Sequence, residues 1–217
     1  QMLPDGTAVW IGGTRADGQT TTSNRHLLRA TDPTDPSTIA PIWSGGDLIQ
    51  GIPIATTASN FTYMLSDNGL NHIHVLTMST GSSLDDVHVY VNGDFVAQES
   101  KPTGSGDNWQ NFGDVGINDV GNYIFAGDTD AATGTDAFVA YNGAIGVREG
   151  DTVDGVTLAS GAATRAISIN NLNQVVHMWG WGSGASLQEH LFFGDGADLA
   201  NSIRLLSLGD EIDANGD

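Results

Sequence analysis

The stretch Ile117–Phe125, Ile-Asn-Asp-Val-Gly-Asn-Tyr-Ile-Phe, places a turn signal directly before a short apolar run. Asn, Asp and Gly favour turns, and the apolar residues that follow them are typical of a strand. Three related stretches occur along the chain. Their equivalent turn positions are spaced by 63, 52 and 52 residues, at Gly6, Gly69, Gly121 and Asn173. A recurring period of about 50 residues indicates a repeat architecture.

Each copy continues with strand-like segments in the same order. A polar, Gly-rich loop follows the first strand, and a second strand then ends in a tight turn. In two copies this turn is Asn-Gly, at Asn92-Gly93 and Asn142-Gly143, which is a strong hairpin signal. A third strand runs into an acidic turn, and a fourth strand leads to the next copy. We predict these fourth strands at Asn60–Leu65, Gln110–Ile117 and Ala163–Ile169.

This pattern predicts an all-β protein with less than about a tenth of its residues in helices, since apolar residues alternate or occur in short runs. Four short antiparallel strands per repeat are typical of a propeller blade. We therefore predict a β-propeller-like array of four repeated antiparallel four-stranded units. A β-sandwich with a similar number of strands is the alternative. We expect a single repeat domain over residues 1–217, with repeats at approximately 1–55, 56–107, 108–159 and 160–217.

Charge and composition exclude several classes of function. The chain has 26 acidic and 7 basic residues, a net charge of −19, and no cysteine. Such a field repels phosphate backbones, so we expect no nucleic-acid partner. It attracts cations such as calcium. No apolar run approaches the length of a membrane helix, so we expect no membrane insertion. The lack of cysteine excludes a disulfide framework and a thiolate metal site.

The turn-strand unit resembles the bacterial tandem-repeat family defined by Asn-x-x-Gly-x-x-Ala-Phe. Four positions of the motif fall on Asn118, Gly121, Ile124 and Phe125, with Ile in place of Ala. The other three copies are more degenerate, and the resemblance extends over nearly the whole chain. It implies exported β-propeller-like repeats on the surface of a bacterium or archaeon. It carries over no catalytic residue.

Acidic residues cluster in the turns and are the candidate metal ligands. Several carboxylates on one loop suit calcium, which takes six to eight oxygen ligands. The loop after the third copy of the motif supplies three of them, and the recurring Gly-Asp turns supply the others. The alternative is that Asp side chains cap their own turns. The candidates are Asp128, Asp130, Asp136, Asp151, Asp154, Asp210 and Asp213.

Tryptophan is the candidate residue type for a carbohydrate ligand. Trp179 and Trp181 flank Gly180, and Gly182 follows, so we expect this pair to be exposed in a loop. Aromatic rings of this kind could form a platform for a glycan. The alternative is that the tryptophans fill space between neighbouring units.

Enzyme signatures are missing from the sequence. There is no nucleophile elbow, no zinc-protease motif and no phosphate-binding or dinucleotide-binding loop. Glu99 and Glu149 near the acidic turns leave a glycosidase pair open. We favour a non-catalytic extracellular module with a structural or adhesive role. A carbohydrate-binding module is the second interpretation, and a hydrolase is the third.

The count of strands also predicts self-association. The fourth strand occurs three times and the other strands four times, so one unit is expected to lack a strand. An exposed edge can pair with another chain. A head-to-tail contact of this kind would build a surface assembly or filament, whereas the other interpretation is that the chain is a piece of a longer repeat protein.

Overall fold

The fold is all-β and its sheets are antiparallel, as predicted. A computed structural model describes residues 1–14, 24–56 and 61–211. The described residues are 55% strand and 6% helix, so the prediction of little helix is confirmed. The helical residues in the described ranges form three short 3₁₀ segments, Pro36–Thr38, Gly184–Ser186 and Gly196–Asn201.

The first two main sheets come from the first half of the chain. Sheet 1 has the order β1-β2-β3, with strands Ala8–Thr14, Asn24–Ala30 and Ile39–Ser44. A small hairpin follows it, made of β4 (Leu48–Ile49) and β5 (Ile52–Pro53). Sheet 2 has the order β6-β7-β8-β9, with strands Phe61–Leu65, His72–Thr77, Val87–Val91 and Asp94–Gln98.

The second half of the chain repeats this arrangement. Sheet 3 has the order β10-β11-β12-β13, with strands Trp109–Ile117, Tyr123–Thr129, Ala137–Tyr141 and Ala144–Arg148. A second small hairpin follows, made of β14 (Thr152–Val153) and β15 (Val156–Thr157). Sheet 4 has the order β16-β17-β18-β19, with strands Ala163–Ile169, Gln174–Trp181, Gln188–Asp195 and Ile203–Ser207.

The predicted repeat boundaries fall between these sheets. Each predicted connecting strand is the first strand of the sheet that follows it, as β6, β10 and β16. Its partner is the strand that follows the motif turn. The described residues form four main sheets, whereas a β-sandwich has two.

Tight turns with positive φ close the hairpins. Asn92-Gly93 has φ angles of 53° and 87°, and Asn142-Gly143 has 48° and 85°. Both residues of a type I′ turn need positive φ, which Asn and Gly adopt most easily. Asp154-Gly155 closes the β14–β15 hairpin with φ angles of 46° and 75°. Its Asp-Gly pair is a hairpin signal that the sequence analysis did not use.

The main sheets stack in chain order and bury apolar residues on both faces. Successive side chains of a strand point to opposite faces, so each strand of an inner sheet serves two cores. In β7, Ile73 and Val75 face sheet 3, whereas Leu76 faces sheet 1. In β11, Ile124 and Ala126 face sheet 4. This double burial explains why the strands after the motif turns are apolar on both faces.

The two small hairpins fill the space between neighbouring sheets. Ile49 and Ile54 belong to the core between sheets 1 and 2, and Val153 and Leu158 belong to the core between sheets 3 and 4. Among the first strands, β10 contacts both β6 and β16 directly. The described residues do not form a closed propeller.

The motif turns bond to one another across the stack through Asn118. Its Oδ1 accepts the backbone N–H groups of Val120 and Asn122 at 3.2 and 2.9 Å, which fixes its own turn. Its Nδ2 donates to the Asn170 carbonyl and to Asn173 Oδ1 of the next repeat, each at 2.9 Å. Asn118 is 2% exposed, so every one of these groups is removed from water.

We call the hydrogen bonds between successive motif turns the hydrogen-bond ladder. Further side chains extend it to the turns on both sides. The Asp119 N–H donates to Asn171 Oδ1 at 2.8 Å, and Asn171 Nδ2 donates to Asp119 Oδ2 at 2.8 Å. On the other side, the Asn68 N–H donates to Asp119 Oδ1 at 2.8 Å, and Asn71 Nδ2 donates to the Asp119 carbonyl at 2.9 Å. The turns of sheets 2, 3 and 4 therefore form one hydrogen-bonded column.

The edge of sheet 1 is partly covered by the start of the chain. Met2 bridges Ala8 in β1, and the Val9 N–H donates to the Gln1 carbonyl at 2.9 Å. The side chain of Gln1 also bonds both backbone groups of Leu65 in β6. Sheet 1 has three strands where the other main sheets have four, as the strand count predicted.

A buried histidine in β17 is hydrogen-bonded on both of its ring nitrogens. His177 Nδ1 accepts a hydrogen bond from the Trp179 indole at 2.9 Å, and its Nε2 lies 3.0 Å from Ser202 Oγ. Both rings are fully buried. Burial lowers the pKa of His177 to about 4, so the ring is neutral near pH 7. Burial and the nearby His72 lower the pKa of His74 to about 3.

We expect His177 to destabilise the fold as the pH falls below its unfolded pKa of about 6.5. Between that pH and about 4, the unfolded chain binds a proton that the folded chain excludes, so stability falls. His177 alone should cost about 2 kcal/mol at pH 5 relative to pH 7. Urea unfolding at both pH values checks this. The variant His177→Gln should lose less stability over the same pH range. An equal loss would show that His177 does not cause the pH dependence.

Candidate functional site

The recurring acidic turns use their carboxylates to bind backbone N–H groups. In three sheets, an Asp directly after the last strand accepts the N–H of the residue three positions earlier. The pairs are Asp47 with Ser44 at 2.7 Å, Asp151 with Arg148 at 2.9 Å and Asp210 with Ser207 at 2.7 Å. This is the turn-capping interpretation of these acids, and it satisfies groups that would otherwise be unpaired at strand ends.

Asp154 bonds across repeats. It sits at the tip of the β14–β15 hairpin, and its Oδ2 accepts the Arg204 N–H of β19 at 2.8 Å. This bond ties the hairpin to the last strand of sheet 4. Asp213, its predicted counterpart, lies outside the described residues.

The three acids of the loop after the third motif copy have separate partners. Asn111 Nδ2 donates to Asp128 at 2.7 Å. The N–H and the side-chain amide of Asn108 donate to Asp130 at 2.7 and 2.8 Å, and these bonds lower the pKa of Asp130. Asp136 bonds instead to Glu149. In the described ranges, no three His, Asp or Glu side chains are grouped so that they could hold a metal ion.

Glu149 and Asp136 form a pair of carboxyl groups at the end of sheet 3. Burial raises the pKa of Glu149, and the hydrogen bond with Asp136 raises it further. The same hydrogen bond lowers the pKa of Asp136. As the pH rises, Asp136 therefore loses its proton before Glu149 does.

The surroundings of Glu149 are those of a structural group. Its carboxyl oxygens accept the N–H groups of Gly134 and Ala162, each at 3.2 Å, and that of Gly161. Glu149 is 1% exposed, so no substrate has access to it. It fastens the turn before β16 to the end of β13.

Glu99 occupies the equivalent position in sheet 2, in a more open setting. The Val87 N–H donates to it at 3.3 Å, and burial raises its pKa. It lines a cavity of about 240 Å³ together with Asp130 and Trp109. If the protein is a hydrolase, this cavity is the candidate substrate site, because two carboxyl groups line it.

The two predicted tryptophans differ in exposure. Trp179 is 0% exposed and belongs to the core between sheets 3 and 4, so the expectation that its flanking glycines expose it is wrong. The side chains of a strand alternate in direction, and position 179 points inward. Trp181 is half-buried, with its ring 5.1 Å from that of His190.

The outer face of sheet 1 carries an aromatic groove that the sequence analysis missed. It has a volume of about 500 Å³, and Trp10, His26, Leu28 and Pro41 are among its lining residues. The run Ala8–Ile11 is apolar at every position, which is typical of a strand packed on both faces. On the outer face Trp10 is only half-buried, because no other sheet of the described residues packs against it.

Comparison with known proteins adds no identification. No protein-family model matches the chain, and no curated protein matches it. None of the helical segments in residues 1–14, 24–56 and 61–211 is long or apolar enough to cross a membrane.

Calcium binding stays a prediction from the sequence. The hydrogen bonds of the acidic residues show what a bound ion would have to replace. A calcium ion at Asp130 would have to replace the two bonds from Asn108. If the ion binds the native state, millimolar calcium should raise the melting temperature by mass action. The control is sodium chloride at equal ionic strength, which screens the acidic surface without specific binding. Equal melting temperatures in the two salts would reject the calcium prediction.

Proposed function

We propose that this protein is a non-catalytic structural or adhesive module, built from β-propeller-like repeats. One observation carries the proposal: the polar residues that recur in the repeats bond to backbone groups of their own turn or of the next repeat. Asn118 bonds the next turn, and Asp151 and Asp210 cap their own turns. Active sites instead place polar groups where a substrate can reach them.

The acidic surface supports an extracellular location. A net charge of −19 favours solubility and opposes contact with nucleic acid and anionic lipid. The resemblance to the Asn-x-x-Gly-x-x-Ala-Phe repeats points in the same direction, toward an exported protein on the surface of a bacterium or archaeon.

A carbohydrate-binding module is the second candidate, and the groove on sheet 1 favours it. Trp10 offers an indole face beside His26 and Ser44 in a groove of about 500 Å³, which is large enough for a small glycan. We therefore assign the candidate platform to Trp10, since Trp179 is buried. Trp181, in sheet 4, is a separate and partly exposed ring.

A glycan array with the full chain tests the choice between these functions. We expect no specific binding, because a structural role needs none. Specific binding that is lost in Trp10→Ala or Trp181→Ala would overturn the proposal in favour of the carbohydrate-binding module. A panel of glycosidase substrates tests the hydrolase interpretation. Turnover that is abolished by Glu99→Gln would overturn the proposal of a non-catalytic module. Circular dichroism of each variant confirms that it is folded.

A further inference from the structure

Within residues 1–14, 24–56 and 61–211, each end of the stack has one sheet face that no other sheet covers. These two faces are equivalent to faces that are covered inside the stack. We call the face of each sheet that points to the next sheet its leading face, and the opposite face its trailing face. The leading face of sheet 1 contributes Val9 and Leu27 to a core with sheet 2. The leading face of sheet 3 contributes Ile124 and Ala126 to a core with sheet 4, and both are 0% exposed.

The leading face of sheet 4 repeats the pattern of sheet 3. Asn118 and Asn170 begin equivalent turns, since the N–H of each donates to the carbonyl of the residue four positions later. Val176 and Met178 therefore correspond to Ile124 and Ala126. The apolar side chains of this face pair across β17, β18 and β19. They are Val176, Met178, Leu191, Phe193, Ile203 and Leu206.

This face is exposed where its equivalent is buried. Leu206 is 37% exposed and Leu191 is half-buried. Their equivalents in sheet 3, Val147 and Val139, are both 0% exposed. A contiguous apolar face on a soluble protein marks an interaction site.

The hydrogen-bond ladder also stops at this end of the stack. Asn118 Nδ2 donates to the Asn170 carbonyl in the next repeat. Asn170 keeps the same bonds within its turn, because its Oδ1 accepts the N–H groups of Leu172 and Gln174. Its Nδ2 turns back to Gln174 Oε1 of its own turn and is exposed. The donor that reaches the next turn at Asn118 therefore stays within its own turn at Asn170, on an exposed side chain.

The trailing face of sheet 1 is the matching surface at the other end. Trp10, Leu28 and Pro41 are partners in the register of β1, β2 and β3, so they share one face. They lie opposite Val9 and Leu27, which belong to the core with sheet 2. In sheets 2, 3 and 4, the trailing face packs on the preceding sheet.

We propose that the leading face of sheet 4 binds the trailing face of sheet 1 in a second copy of this chain. The contact would continue the sheet-on-sheet packing that occurs three times within the chain, with Asn170 facing the turn that contains Leu3. Each copy has one face of each kind, so the contact is head-to-tail. The inference rests on the proposed structural function and gives it a partner.

The surface charge sets the conditions for this assembly. Two chains of net charge −19 repel one another at low ionic strength. Salt screens this repulsion and strengthens the burial of apolar surface when the anion is sulfate. Association should therefore increase from low salt to high salt.

Sedimentation velocity with the full chain in ammonium sulfate tests the proposal. We expect a dimer or larger species for the wild type. Leu191→Lys blocks the leading face, and Leu28→Lys blocks the trailing face. Each should weaken association on the order of 100-fold, because the ammonium group would be buried without a partner. Lysine also reduces the negative charge, so greater repulsion cannot explain the loss. Leu70→Lys, on an exposed turn leucine, is the matched control and should associate like the wild type.

A mixture of the two blocked variants distinguishes head-to-tail stacking from other contacts. Leu191→Lys keeps its trailing face and Leu28→Lys keeps its leading face, so the mixture should form a one-to-one dimer that neither variant forms alone. A wild-type monomer at all salt concentrations would overturn the inference, and so would a mixture that stays monomeric. Association that survives both substitutions would point to the edge of a sheet instead. None of these results depends on glycan binding or turnover, which test the proposed function separately.

Discussion

The hydrogen bonds of Asn118 are the constraint on which the stack depends. One amide fixes its own turn through Oδ1 and holds the next turn through Nδ2, and it does so while 98% of its surface is removed from water. A buried amide is costly unless it is fully bonded, so the two turns must keep this relative position. The strands that leave the turns, such as β11 and β17, are then aligned, and their faces can pack.

The sequence predicted the strands well because the signals were local. The strand Ala163–Ile169 has the predicted bounds, and β6 and β10 end at the predicted residues, Leu65 and Ile117. Asn-Gly turns and short apolar runs are recognised within a few residues of sequence. The repeat is recognised from its fixed period of about 50 residues. The β4–β5 and β14–β15 hairpins were missed, because two residues per strand carry almost no alternation. Whether the stack closes depends on the angle between sheets, which no local pattern encodes.

The candidate site was predicted less well, since the role of a side chain depends on its neighbours in space. An Asp in a turn gives the same sequence signal whether it binds a cation or a backbone N–H, and the partners of Asp130 and Asp154 are 22 and 50 residues away. The glycines around Trp179 suggested exposure, but strand alternation turns the ring inward. The strand of Trp10 is apolar at Ala8–Ile11, although only one face of sheet 1 is covered by another sheet of the described residues.

A double-mutant cycle between Asn118 and Asn173 tests the ladder most directly. Asn118→Ala removes the donor, and Asn173→Gly removes the acceptor at a position whose φ of 62° suits Gly. Urea unfolding of the two single variants and the double variant gives the coupling energy. The ladder predicts a favourable coupling of about 1 kcal/mol. The control cycle of Asn118→Ala with Asn170→Ala should show almost none, because Asn118 bonds only the backbone of Asn170. Additive effects of Asn118→Ala and Asn173→Gly would contradict the account.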